Sequence, residues 1–283
     1  MRNDIVSLVR DTLVEAGSTF RNDKKEAFRR AIDREQDEKS KWVLQTILDN
    51  AEIAEKNHSP LCDDTGIPHL VLEVGPDCAV TGRILDDIQE GVKQGLRKLP
   101  GRPMGIIGDD RQRIDQSGGL NPDSAGVEIA PILLRRCEEN VIRLHILMFG
   151  GGPAIRAKTY RVFHRHNAQV VIDEIVNWAK EGVAQLGCSP CTLAVGIGRS
   201  HFEAASMMLQ AQVDGKYDVQ NEMEQEITRR VNEANIGPLG LGGNTSVIAT
   251  FMKVGPQRAS GVRIVCIRPV CCFEPRIAMI DLK

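Results

Sequence analysis

The chain has 283 residues, 42% of them hydrophobic, which suffices for a sizeable core in one large domain or two small ones. Its 36 basic and 38 acidic residues nearly cancel, leaving a formal net charge of -2 and no field for nucleic acid or an anionic membrane. The opening run MRNDIVSLVRDTL carries charges inside its first apolar stretch, unlike a secretory signal, and no stretch approaches the roughly 20 apolar residues of a membrane helix, so a cytoplasmic protein is expected.

Residues 4–57 read as helical, with Ile5, Leu8, Val9 and Leu13 on one apolar stripe and Trp42, Val43, Ile47 and Leu48 on a second. HLVLEV from His69 and CAVTGRI from Cys78 read as short strands, with a helix over 86–98 behind them. Residues 100–126 are rich in Gly, Pro, Asp and Arg and form a long irregular loop, a feature that usually carries function. GVEIAPILL and VIRLHILMF read as antiparallel strands joined through RRCEEN, followed by Gly150, Gly151 and Gly152. An amphipathic helix is predicted over 168–186 and a buried strand at TLAVGI. Ser200 and Glu203 form a capping box that starts a helix at His201, and a charged helix follows over 218–234. The glycine-rich GPLGLGGNTS then precedes two apolar strands, VIATFMKV and VRIVCIRPV. The expectation is a single mixed α/β domain over 1–283, its helical N-terminal part (1–57) packed on a mixed or antiparallel sheet with flanking helices.

In a reducing compartment, eight cysteines argue against a disulfide framework. Cys78, Cys137 and Cys266 sit in apolar or helix-like contexts and read as small buried hydrophobes. The others lie beside Pro, Gly or Asp in three loops: LCDDTG at 61–66, GCSPC at 187–191 and CCFEPR at 271–276. Three thiolates converging on one point would suit a [4Fe–4S] cluster with one iron left open, a Lewis acid for a substrate hydroxyl and carboxylate. On spacing alone, Cys188-x-x-Cys191 equally suits half a zinc site or a redox pair. The glycines at 150–152, 196–198 and 240–243 suit either anion-binding N–H groups or turns of positive φ. Gly196-Ile-Gly198 is no dinucleotide fingerprint, because Arg199 and Ser200 follow it. Arg111 and Arg113 in the long loop are candidates to pair with a substrate carboxylate. His164 and His166 read as exposed polar surface.

Taken in order, these motifs resemble the α subunit, or N-terminal domain, of the class I fumarase and L-tartrate dehydratase family. PLCDDTG at 60–66 resembles the family's P-x-C-Q-D-T-G, and the three glycines at 150–152 its G-G-G after a strand. The segment from Cys188 to Arg199 resembles C-P-P-x-x-x-G-V-G-I-G-G, residues 235–243 carry N-I-G-P-x-G-L-G-G intact, and Cys272 to Arg276 resembles C-W-x-x-R. The resemblance implies a [4Fe–4S] cluster with one open iron on Cys62, Cys188 and Cys272, with Cys191 and Cys271 as neighbours. It implies a hydro-lyase acting on a small hydroxy- or unsaturated carboxylic acid such as tartrate, malate or fumarate. It also implies a separate β subunit in an α2β2 assembly, or a homodimer. Asp64, Arg113 and Arg276 are the candidate catalytic residues, and Asp63, Thr65, Gly151, Gly152 and Gln257 the candidate substrate contacts. No convincing general base is legible.

The departures concern the substrate. Asp63 replaces a family Gln, Pro153-Ala154 a Ser-Glu, and Gln257 a His; residues 116–121 blur N-T-G-D-N. Such changes disfavour fumarate and L-malate as best substrates. The rival reading is a divergent paralogue, either a cluster-binding structural subunit or a lyase that eliminates a group other than water.

Overall fold

The computed structural model describes residues 2–99 and 102–282, so the two ends of the expected 1–283 domain and residues 100–101 of the long loop lie outside the described residues. In chain order the elements are α1 (Arg2–Ser18), α2 (Asn22–Arg34), α3 (Glu38–Asn57), β1 (Ile67–Val74), α4 (Gly82–Lys98), α5 (Asp110–Asp115), β2 (Leu133–Arg136), β3 (Ile142–Phe149), α6 (Gly151–Ala154), β4 (Lys158–Phe163), α7 (Ala168–Leu186), β5 (Cys191–Gly198), α8 (His201–Asp214), α9 (Glu222–Asn232), β6 (Val247–Val254), β7 (Val262–Val270) and β8 (Ile277–Asp281). The class is the expected mixed α/β, built on two four-stranded sheets rather than one. The chain divides into two compact units: one holds the residues up to Thr19, Ala51–Gly151 and those from Arg276 on; the other holds Phe20–Asn50 and Gly152–Pro275.

In the first unit the sheet order is β2-β1-β3-β8, with β1 parallel to β2 and antiparallel to β3. Its core joins Val9 and Leu13 of α1 and Ile88, Val92 and Leu96 of α4 to Leu70, Leu72, Leu144 and Ile146 of the sheet. Each such side chain contributes roughly 1.5–3 kcal/mol on burial. Gly91 lets α1 lie close on α4, since a Cβ there would sit 2.8 Å from the Val6 carbonyl oxygen. Two strand expectations fail here. CAVTGRI is no strand: Thr81 accepts a hydrogen bond from the Ile84 amide at 3.3 Å and caps α4, so the helical spacing of Ile84, Ile88 and Val92 prevails over the short alternation before it. β2 and β3 do not pair with each other but flank β1 on opposite sides. RRCEEN has no glycine for a tight hairpin, and β2 is instead fixed to β1 by Val71 opposite Leu133 and by the Arg135–Glu73 ion pair. The segment 102–126 is less irregular than expected, holding α5, a 3-10 turn at Ser124–Val127 and a bridge between Ile106 and Leu120.

The second unit has the order β4-β7-β5-β6, with β5 parallel to β6 and antiparallel to β7. Every residue of β5 is buried, as expected for a central strand that reads as a continuous apolar run. Ile172, Ile175, Val176, Ala179 and Val183 of α7 enter its core. Gly196 answers to helix packing rather than to an anion: a Cβ there would lie 2.0 Å from the Ala204 carbonyl oxygen of α8. Only half of the expected capping box forms at α8. Ser200 accepts from the Glu203 amide at 3.2 Å, but the Glu203 carboxylate takes the Arg199 amide and guanidinium, and these hydrogen bonds hold its pKa down at about 2. Asn221 and Glu224 supply a complete box that starts α9 later than predicted.

Candidate active site

The first unit carries the loop between α3 and β1. Asp64 is its pivot. One carboxylate oxygen accepts a hydrogen bond from the Gly151 amide at 2.8 Å, while the other, Oδ1, is buried with no hydrogen-bond partner. Buried carboxylate oxygens are normally satisfied, so an orphan marks a place for a ligand, a proton or a water. Arg276, 2% exposed, reaches over from the start of β8 and donates to the Asp64 carbonyl at 2.5 Å and the Met148 carbonyl at 3.2 Å. Gly66 makes room for that guanidinium: its φ is +84°, and a Cβ would lie 2.6 Å from Arg276 Nη2 and 2.8 Å from the Phe149 carbonyl oxygen. Arg276→Met is therefore expected to cost about 3 kcal/mol in urea unfolding, since it strands two carbonyls that were bonded to a charged donor. A loss below about 0.5 kcal/mol, within the range of ordinary surface changes, would refute that role.

Cys62, two residues earlier, is half-buried. Burial pushes its thiol pKa up, while the Asp64 backbone and the Arg276 charge pull it down. Thr65 is 2% exposed and its hydroxyl faces the Arg102 carbonyl at 3.4 Å. Asp63 points to solvent and lies 3.6 Å from Arg102, both side chains well exposed. This is a weak, screened pair, yet it answers the charge that the family's neutral Gln lacks. Arg113 is exposed on α5 and ion-paired with Asp110, one turn earlier.

The second unit brings Cys188 and Cys272 together. The Cys272 amide donates to the Cys188 carbonyl at 2.8 Å, tying the end of α7 to the turn after β7. The glycine-rich run fixes the Cys188 loop. Ser189 Oγ donates to the Gly237 carbonyl at 2.6 Å, and the Leu239 amide donates to the Ser189 carbonyl at 2.9 Å. Only glycine fits at 237, where φ is +71° and a Cβ would fall 1.6 Å from the Gly242 carbonyl oxygen. Cys191 is different. It is 0% exposed at the head of β5 within the apolar core, and burial drives its thiol pKa far above the ordinary range.

Gln257 lies elsewhere in this unit. β5 begins beside Cys188, and Gln257 Nε2 donates to the Gly255 carbonyl at 2.9 Å near the other end of the strand, where it also meets the Ile197 carbonyl at 3.5 Å. Eight residues of strand separate those ends by roughly 23 Å. Gly152 offers its carbonyl to Arg156 at 3.1 Å. His164 is buried rather than exposed, its Nε2 2.7 Å from the Ser260 carbonyl oxygen and its Nδ1 accepting from the His166 amide.

Three residues went unnoticed in the sequence. Lys24, 1% exposed, donates to the Glu274 carbonyl at 2.7 Å, and Arg268 pairs with the Glu274 carboxylate at 2.6 Å, both groups almost wholly buried. The available signal was Lys24 in register with Phe28 and Ile32 on the buried face of α2. The Cys188 and Cys272 loops, joined by backbone, offer soft thiol donors, and two buried cations attend the Cys272 turn. That donor chemistry fits an anionic iron–sulfur group. Among the described residues no three His, Cys, Asp or Glu side chains are placed to hold a single metal ion; a cubane instead spreads its thiolates over several ångströms.

The motifs in these loops are carried by a hydro-lyase family. The family model described as Fumarate hydratase (Fumerase) matches residues 6–280, and the chain belongs to that family. A Methanocaldococcus jannaschii protein named "Putative L(+)-tartrate dehydratase subunit alpha" is 26% identical over 99% of this chain and 98% of its own. A Geobacillus stearothermophilus "Putative fumarate hydratase class I" is 25% identical over 86% of this chain, which spans only 48% of that protein. The "L(+)-tartrate dehydratase subunit alpha" of Escherichia coli strain K12 is 20% identical over 93% of this chain and 86% of its own. No helix among the described residues is long and apolar enough to cross a membrane.

Proposed function

We propose that this chain is the α-type subunit of an iron–sulfur hydro-lyase that adds or removes water on a small hydroxy- or unsaturated carboxylic acid. The observation that carries this reading is the Asp64 carboxylate, oriented by the Gly151 amide at one oxygen and unsatisfied at the other. Cys62, Cys188 and Cys272 would hold a [4Fe–4S] cluster, whose open iron supplies Lewis acidity toward the leaving hydroxyl. A cytoplasmic setting keeps such thiols reduced.

Asp64 Oδ1 is the proton acceptor in this reading, the base that the sequence did not reveal. Arg276 acts through Asp64 by fixing its carbonyl, and Arg113 supplies a planar fork for a substrate carboxylate. The amides around Gly151 and Gly152 and the side chains of Asp63 and Thr65 are the remaining candidates for substrate contact. The relatives that match along most of their length are named alpha subunits, which supports a separate β partner, proposed here in an α2β2 assembly.

The test is kcat/KM for tartrates, L-malate and fumarate, measured on anaerobically reconstituted chain with its β partner. A tartrate is expected to exceed fumarate by about tenfold or more, because polar groups at the family's substrate positions have changed. The Asp63–Arg102 pair offsets part of the like-charge repulsion, so Pro153 carries more of this expectation than Asp63. Fumarate as the best substrate would overturn the preference, and no turnover of any hydroxy acid would overturn the reading.

A further inference from the structure

The turn at 271–274 rests on an unusual support. Lys24 lies in α2, 1% exposed, and its ammonium donates to the main-chain carbonyl of Glu274 rather than to a carboxylate. Its Nζ sits 4.1 Å from the centroid of the Phe20 ring, which itself packs 5.7 Å from Phe28 and 6.0 Å from Phe273. The Glu274 carboxylate is taken by Arg268. A carbonyl and a ring face return only part of what an ammonium loses on leaving water, and an apolar side chain would fill the same space at less cost. Burial accordingly pushes the Lys24 pKa down to about 8. An anionic group bound at the turn it holds would make a buried ammonium favourable here.

We infer that Lys24 is a positioning residue for the cluster site: it pins the Cys271–Cys272 turn through the Glu274 carbonyl and sets a fixed positive charge beside the thiolate of Cys272. This rests on the cluster proposed above. A positive charge close to a cluster stabilises its reduced, more negative state, so Lys24 raises the cluster's midpoint potential. Arg268 cannot substitute, because Glu274 neutralises it.

The experiment compares wild-type chain, Lys24→Met and Lys24→Arg, each reconstituted anaerobically. It reads iron and sulfide per chain, the one-electron midpoint potential of the cluster, and the thermal midpoint of the metal-free chain. Lys24→Met is expected to fold at least as stably as wild type without metal. Its cluster is expected to be harder to reduce by at least tenfold in the reduced-to-oxidised ratio at a given potential, a downward shift of ~59 mV. Lys24→Arg, which keeps the charge, should stay within a few-fold of wild type. A loaded Lys24→Met with an unchanged potential would overturn the inference and leave the proposed function standing. Equal loss of cluster in Lys24→Met and Lys24→Arg would also overturn it, because shape rather than charge would then be at stake. Wild-type chain that takes up no iron or sulfide would defeat the proposed function, and this inference with it.

Discussion

Asp64→Asn is expected to lower kcat by about 10²- to 10⁴-fold, the range for removing a positioned general base, with cluster content and thermal midpoint close to wild type. The amide is isosteric with the carboxylate, and its oxygen can still accept from the Gly151 amide. Arg276 grips the Asp64 main chain, not its side chain, so the loop should keep its course. What is lost is an anionic oxygen able to take a proton. Stopped assays at saturating substrate, beside iron counts and melting curves, separate these effects. A variant within threefold of wild type would remove Asp64 from the chemistry.

Cys272→Ser is expected to abolish stable cluster content, whereas Cys191→Ala retains it. Cys272 is bonded through its amide to the Cys188 carbonyl, which joins the two cysteine loops. Cys191 lies wholly in the apolar core at the head of β5, where burial pushes its thiol pKa up. The alanine leaves only a small cavity and should cost on the order of 1 kcal/mol. Iron per chain after anaerobic reconstitution decides the matter. Equal losses in both variants would mean that the ligand register runs through Cys191.

Most of the helices and central strands could be read from the sequence because their signals are local. The stripe of α7 and the continuous apolar run of β5 each fix an element without reference to partners. Pairing is different. β2 and β3 are neighbours in sequence yet separated by β1, because the choice depends on Glu73 meeting Arg135, a contact no periodicity encodes. The cysteine loops could be read only through their resemblance to a family; spacing left zinc and redox readings open. Gln257, which stands where the family has a His, lies near the end of β5 opposite to Cys188, a placement that register alone does not give. Lys24 is hard to read for the converse reason, since a lysine in a charged helix reads as solvated despite its register with Phe28.

The proposed activity is the movement of water by a cluster-bearing chain. The direct measurement is dehydration of a tartrate by chain plus β partner, before and after iron and sulfide are stripped by anaerobic chelation and then restored. Turnover should disappear with the cluster and return with it, in proportion to iron bound. Turnover that persists undiminished in the metal-free protein would contradict the account.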